Sequence, residues 1–158
     1  MRINVIPPSF LADQHLRAEY NEIHSMMLTY YNRILNSKLV KKYGFDINRI
    51  PKHYVLSKGH ATFFIDKMLF VKKRFQSVVK ECQKRNFKTS YTYFDISNIK
   101  FEHINDYSPT KNDCLINLER IIERINLKPH WYKFYGEPFD FISFYNLYKE
   151  YLSNDFRL

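Results

Sequence analysis

The chain has 158 residues, 19.3 kDa and 45% hydrophobic content, which fits one packed domain and argues against a disordered tail. A formal net charge of +9 turns attention to a polyanionic partner. Only 3 glycines argue against a Gly-rich nucleotide loop or a turn-dense all-β fold, and no apolar run nears the roughly 18 residues of a bilayer span.

Residues 1–6 lack a signal-peptide core, so the expected location is cytoplasmic. Pro7-Pro8-Ser9 reads as an extended arm. A first helix is predicted over about 13–35, with Asp13 or Ser9 as cap and Leu16, Tyr20, Ile23, Met27, Tyr31 and Ile34 at three- and four-residue spacings. Residues 38–59 read as a loop punctuated by Gly44, Pro51 and Gly59. A second helix is predicted from near His60, which helps to cap it, to near Asn86, with Lys72, Lys73, Arg74, Lys80, Lys84 and Arg85 as a basic face. Residues 88–110 look irregular. A third helix is predicted over about 111–126, with Leu118, Ile121 and Ile125 in its apolar stripe, and Pro129 stops it. Residues 140–152 read as a short amphipathic helix packed back on the body. Cys82 and Cys114 have no metal-like spacing and are expected to be buried free thiols.

Three features carry chemistry. Arg120, Arg124 and Lys128 lie four apart and share one helix face, where Glu119 and Glu123 could pair locally. That ladder runs into Trp131, Tyr132, Phe134 and Tyr135, and cations beside aromatic faces suit a nucleic acid, although core packing suits the aromatics as well. Glu22 sits two helical turns after Gln14 and His15, among Leu, Met and Tyr residues that would partly desolvate it; an ordinary surface glutamate is the competing reading. The six histidines form no metal constellation, and there is no Walker loop.

Taken together, the blocks Arg2-Ile3-Asn4, Leu11-Ala12-Asp13-Gln14-His15-Leu16, Ala18-Glu19-Tyr20, Glu22, Gly59-His60, Thr62-Phe63-Phe64, Asp95-Ile96-Ser97 and Trp131-Tyr132-Lys133 resemble the endonuclease V-type pyrimidine-dimer DNA glycosylases. Arg120, Arg124 and Lys128 keep the family register, and the likeness covers about residues 1–138, leaving 139–158 as a C-terminal extension. The resemblance implies an all-α single domain of three main helices with long loops. It implies a bifunctional glycosylase and abasic-site lyase, with the α-amine of Met1 as nucleophile and Glu22 as the catalytic carboxylate. Arg2, Gln14, His15, Tyr20, Arg120, Arg124, Lys128, Trp131, Tyr132 and Lys133 are then the expected DNA contacts. The implied partner is damaged or abasic double-stranded DNA, bound by a monomer without metal or cofactor. The chain departs from the family pattern where Asn21 and Ser25 stand in place of arginines and where Met1 precedes Arg2 directly. Two other readings stay open: a lyase for abasic sites or another damaged base, and a non-catalytic DNA-binding protein.

Overall fold

The computed structural model describes residues 3–138 and 140–154; Met1 and Arg2, the expected nucleophile and its neighbour, lie outside them. The predicted first helix forms as one rod in three parts: α1 (Asp13–Glu22), a π-helical turn (Ile23–Met27) and α2 (Leu28–Leu35). Leu16, Ile23, Met27 and Tyr31 on its apolar stripe are buried, as their spacing requires. Neither Asp13 nor Ser9 caps it: Ala12 occupies the cap without a side-chain bond.

Three expectations are corrected. Pro8 and Ser9, expected in an extended arm, belong to a 3-10 turn, Pro8–Phe10, because a proline is tolerated in the first turn of a helix, where its missing N–H is not needed. Residues 38–59 are not all loop. Ser37 Oγ accepts from Val40 N at 3.3 Å and starts α3 (Lys38–Tyr43), and Gly44 ends it at φ 81°. A single 3-10 turn follows at Ile47–Arg49. The predicted second helix is broken into α4 (His60–Phe63) and α5 (Met68–Lys84). The cause is local: Phe63, Phe64 and Ile65 are all at most 2% exposed, and three consecutive side chains cannot all face the core from one α-helix. The chain turns there, and Lys67 forms an isolated bridge with Ile104.

The third helix, α6 (Lys111–Leu127), matches its pattern closely. Thr110 and Asp113 close a reciprocal capping box at its start, with Thr110 N donating to Asp113 Oδ2 at 2.8 Å and Asp113 N to Thr110 Oγ1 at 3.2 Å. A two-stranded hairpin, β1 (Lys133–Phe134) and β2 (Glu137–Pro138), follows. Its turn places Tyr135 at φ 52° and Gly136 at φ 84°, the left-handed pair that a two-residue hairpin turn needs. The tail forms α7 (Phe141–Asn154); Phe144 and Tyr148 are buried, and the Tyr148 hydroxyl donates to the Cys114 carbonyl of α6 at 3.0 Å. The architecture is therefore all-α apart from the hairpin, and no described helix is long and apolar enough to cross a membrane. Cys82 and Cys114 are free and buried, and burial pushes each thiol up to about 11.

Candidate active site

Residues 3–6 are buried without regular secondary structure, so their backbone polar groups need partners that a helix or sheet would otherwise supply. Side chains from four helices and from the loop before α4 supply them. Ile3 N donates to His60 Nε2 at 2.9 Å, Asn4 N to Glu19 Oε1 at 2.8 Å and Val5 N to Asn117 Oδ1 at 2.7 Å. The Tyr54 hydroxyl donates to Ile3 O at 3.2 Å, and Arg74 donates to Ile6 O. The clamps are themselves clamped. Arg74 holds Glu19 through two bonds of 2.8 Å, and Asn117 Nδ2 donates to Asn4 Oδ1 at 2.8 Å. His60 Nδ1 lies 2.6 Å from Val55 O, so Nδ1 carries the proton and Nε2 is left to accept from Ile3. Burial lowers the His60 pKa and keeps that neutral form. His60 thus orients the arm, where the sequence suggested a helix cap.

This arm forms one wall of a groove between α1 and α6. A cleft of about 240 Å³ is lined by Asn4, His15, Glu22, His60, Arg120 and Arg124, among others. A second, of about 230 Å³, is lined by Gln14, His15, Arg124, Lys128, Trp131 and Tyr132, among others. His15 and Arg124 belong to both, so the two clefts are continuous. Residues more than 100 positions apart converge because α1 and α6 both flank the arm. Glu22 is half-buried there, as are Arg120 and Arg124. Arg120 Nη1 bonds Glu123 Oε2 at 2.6 Å, the local pair expected from the sequence; among the described residues no carboxylate pairs with Arg124. Lys128 lies over the exposed Trp131 ring at 5.9 Å, and the buried Tyr132 ring lies against His15 at 4.6 Å.

The remaining expected contacts have other surroundings. Gln14 spans the end of the groove: Nε2 donates to Trp131 O at 2.6 Å and Oε1 accepts from Lys133 N at 3.0 Å, which fixes the aromatic segment against α1. The Lys133 side chain is exposed beside that anchor. Tyr20 is 7% exposed on the opposite side of α1, its hydroxyl donating to Tyr91 O at 3.1 Å and accepting from Tyr91 N at 2.8 Å. Its surroundings are those of a packing residue. Asp13 accepts from Gly136 N at 2.8 Å and Tyr135 N at 3.2 Å and binds Arg85 at 2.9 Å, so it holds the hairpin turn.

Two members of the expected basic face of α5 are corrected as well. Arg74 is 6% exposed and Arg85 is 8% exposed, both inside ion-pair networks. The sequence reading missed Glu19, Asn117 and Arg74 as arm clamps. Their signal was present: each falls on the apolar stripe of its helix, where a polar side chain must be paired.

The fold and the site thus define a small all-α domain with a half-buried carboxylate in a cation-lined groove. The model of the pyrimidine dimer DNA glycosylase family matches residues 1–95 of the 158. The chain belongs to that family. The matched region contains His15, Glu19, Glu22 and His60; α6 with its basic ladder lies beyond it.

Proposed function

We propose that this protein excises UV pyrimidine dimers from duplex DNA by attack of the Met1 α-amine on the sugar, followed by strand cleavage. The observation that carries this reading is the buried arm, pinned from Ile3 onward beside the Glu22 cleft. Two residues of chain span at most about 7 Å, so an amine anchored through Ile3 has a short and defined reach. An α-amine with an ordinary pKa of about 7.7–8.0 is partly neutral near pH 7 and needs no extreme tuning to act as a nucleophile.

The neutral amine attacks C1′ of the damaged nucleotide. The glycosidic bond breaks, and the base leaves with the electron pair and takes up a proton. The amine nitrogen loses a proton, and the C1′–O4′ bond then opens, with O4′ taking up a proton, to give the imine. Glu22 stabilises the positive charge that develops on the sugar, then accepts the C2′ proton. The electrons of that bond expel the 3′ phosphate and cut the strand. Arg120, Arg124 and Lys128 hold phosphates around the opened site, with Arg2 as a further contact. His15, Trp131, Tyr132 and Lys133 border the expelled nucleotide, and Gln14 keeps that segment in place. The target sugar must leave the stack, and a dimer has already weakened its own stacking, which lowers that cost.

The test is borohydride trapping on a thymine-dimer duplex, its undamaged twin and an abasic duplex, all in EDTA. The expected result is a covalent adduct on both damaged duplexes, mapping to residue 1, and its loss on the dimer duplex with Glu22→Gln. An adduct on the abasic duplex alone makes the protein an abasic-site lyase, the reading favoured by neutral Asn21 and Ser25, which are exposed, the Ser25 hydroxyl donating to the Asn21 carbonyl at 2.5 Å. No adduct on either damaged duplex leaves a non-catalytic DNA-binding protein.

A further inference from the structure

The α6 ladder accounts for little of the net charge. Residues 33–58 hold seven of the 25 Lys and Arg and only one of the 16 Asp and Glu, a net +6 out of +9. All seven of those cations are exposed, and the one acid, Asp46, lies 4.0 Å from Arg49. They sit on α2, α3 and the loop to α4, around a cleft of about 880 Å³ whose lining includes Tyr30, Arg33, Tyr43, Arg49 and Lys58.

This lobe adjoins the Glu22 groove, Gly59 lining the one cleft and His60, the next residue, the other. A π turn takes one more residue than an α turn, so the segment Ile23–Met27 sets back everything beyond it by about one residue, near 100°. Tyr30, eight positions after Glu22, therefore falls about two α-helical turns on along the same face, at a rise of about 11 Å. Without the π turn it would point well to the side. The two clefts also share α4 as a wall: His60 lines the first, and Thr62 lines the second, 2.7 Å from the Tyr30 hydroxyl. At about 3.4 Å per base pair, 11 Å is three to four pairs from the reacting nucleotide.

We infer that the α3 lobe is a second DNA-binding surface, which grips the phosphate backbone of the duplex on one side of the lesion only. This rests on the proposed reaction at Glu22. Its exposed Leu39 and Tyr43 line the cleft, and α3 is only six residues long, which favours a duplex flank over a membrane surface as the occupant.

The experiment measures equilibrium binding to duplexes with a non-cleavable abasic analogue and long flanks, or with either flank trimmed to three pairs. Wild-type protein is expected to lose tenfold or more in affinity when one flank is trimmed and little when the other is. The triple variant Lys41→Ala, Lys42→Ala, Arg49→Ala is expected to bind the full duplex as weakly as wild type binds the trimmed one, to ignore trimming, and to lose about two to three units of salt slope. Lys58→Glu, outside α3, is expected to reproduce the effect in part. Incision of a pre-made abasic site at saturating enzyme stays at the wild-type rate. Unchanged length dependence and slope in the triple variant overturn the inference, as does equal sensitivity of wild type to both flanks. Loss of anionic-vesicle binding with DNA binding intact assigns the lobe to a membrane and overturns it too. If wild type binds the analogue but incises nothing, the reading of the Glu22 site fails while the flank assignment still stands on the binding data.

Discussion

Helices α5 and α6 are each 17 residues long and each looked basic, yet their arginines do opposite work. On and just after α5, Arg74 and Arg85 have side chains 5% and 1% exposed, and they bind Glu19, Asp13 and Glu81 together with carbonyls of the N-terminal arm. On α6, Arg120 and Arg124 are half-exposed along the groove. The difference teaches that a charge count alone overstates the surface available to DNA. A buried guanidinium is committed to its carboxylate, because leaving either ion alone in the interior is far more costly than pairing both.

The sharpest way to break that contrast is to unpair the α5 side. Arg74→Met leaves Glu19 buried without its cation, and a loss of about 3–5 kcal/mol is expected in urea unfolding. Arg74→Met with Glu19→Leu should recover much of it, since a well-packed apolar pair avoids the desolvation penalty. A single variant that melts with wild type would show that the pair contributes nothing.

The next effect concerns the arm. His60→Ala removes the acceptor of the Ile3 N–H, and about 1–3 kcal/mol of stability should go with it. Burial lowers the folded-state pKa of His60 below its ordinary value of 6.5. The unfolded chain then takes up the proton first, so this contribution is complete above 6.5 and is lost as pH falls toward the lowered folded value. Stability measured against pH should fall there in wild type and fall less in His60→Ala. Matching profiles would detach His60 from the arm.

The smallest effect on folding and the cleanest on binding belong to α6. Arg124→Ala should change stability by no more than about 0.5 kcal/mol. It should cut the salt slope of DNA binding by about one unit, and Arg120→Ala by less, because Glu123 already neutralises part of its charge. Equal slopes for both variants and wild type would remove the ladder from the interface.

Helix α6 was legible in the sequence to within one residue of its observed end, because its apolar stripe and Pro129 agree. The rod of α1 and α2 was legible in extent but not in its π turn, which leaves the apolar spacing nearly intact. The break between α4 and α5 was hidden, since residues 60–85 are rich in apolar residues throughout. Glu22 is half-buried, in keeping with the partial desolvation read from its neighbours in the chain, but the residues that matter for the arm, Asn4, Glu19, His60 and Asn117, were not assembled beforehand.

Local pattern therefore determined the long helices, the basic balance and the residues that resemble a family of lesion-excising enzymes, because periodicity and charge are properties of neighbours in the chain. Only the tertiary structure decided which arginines are committed inside and which face the groove. It also decided that residues 3–6 are held by side chains from α1, α4, α5 and α6. Those bonds span up to 112 positions, and a contact between residues that far apart is set by how helices pack, which no local pattern encodes.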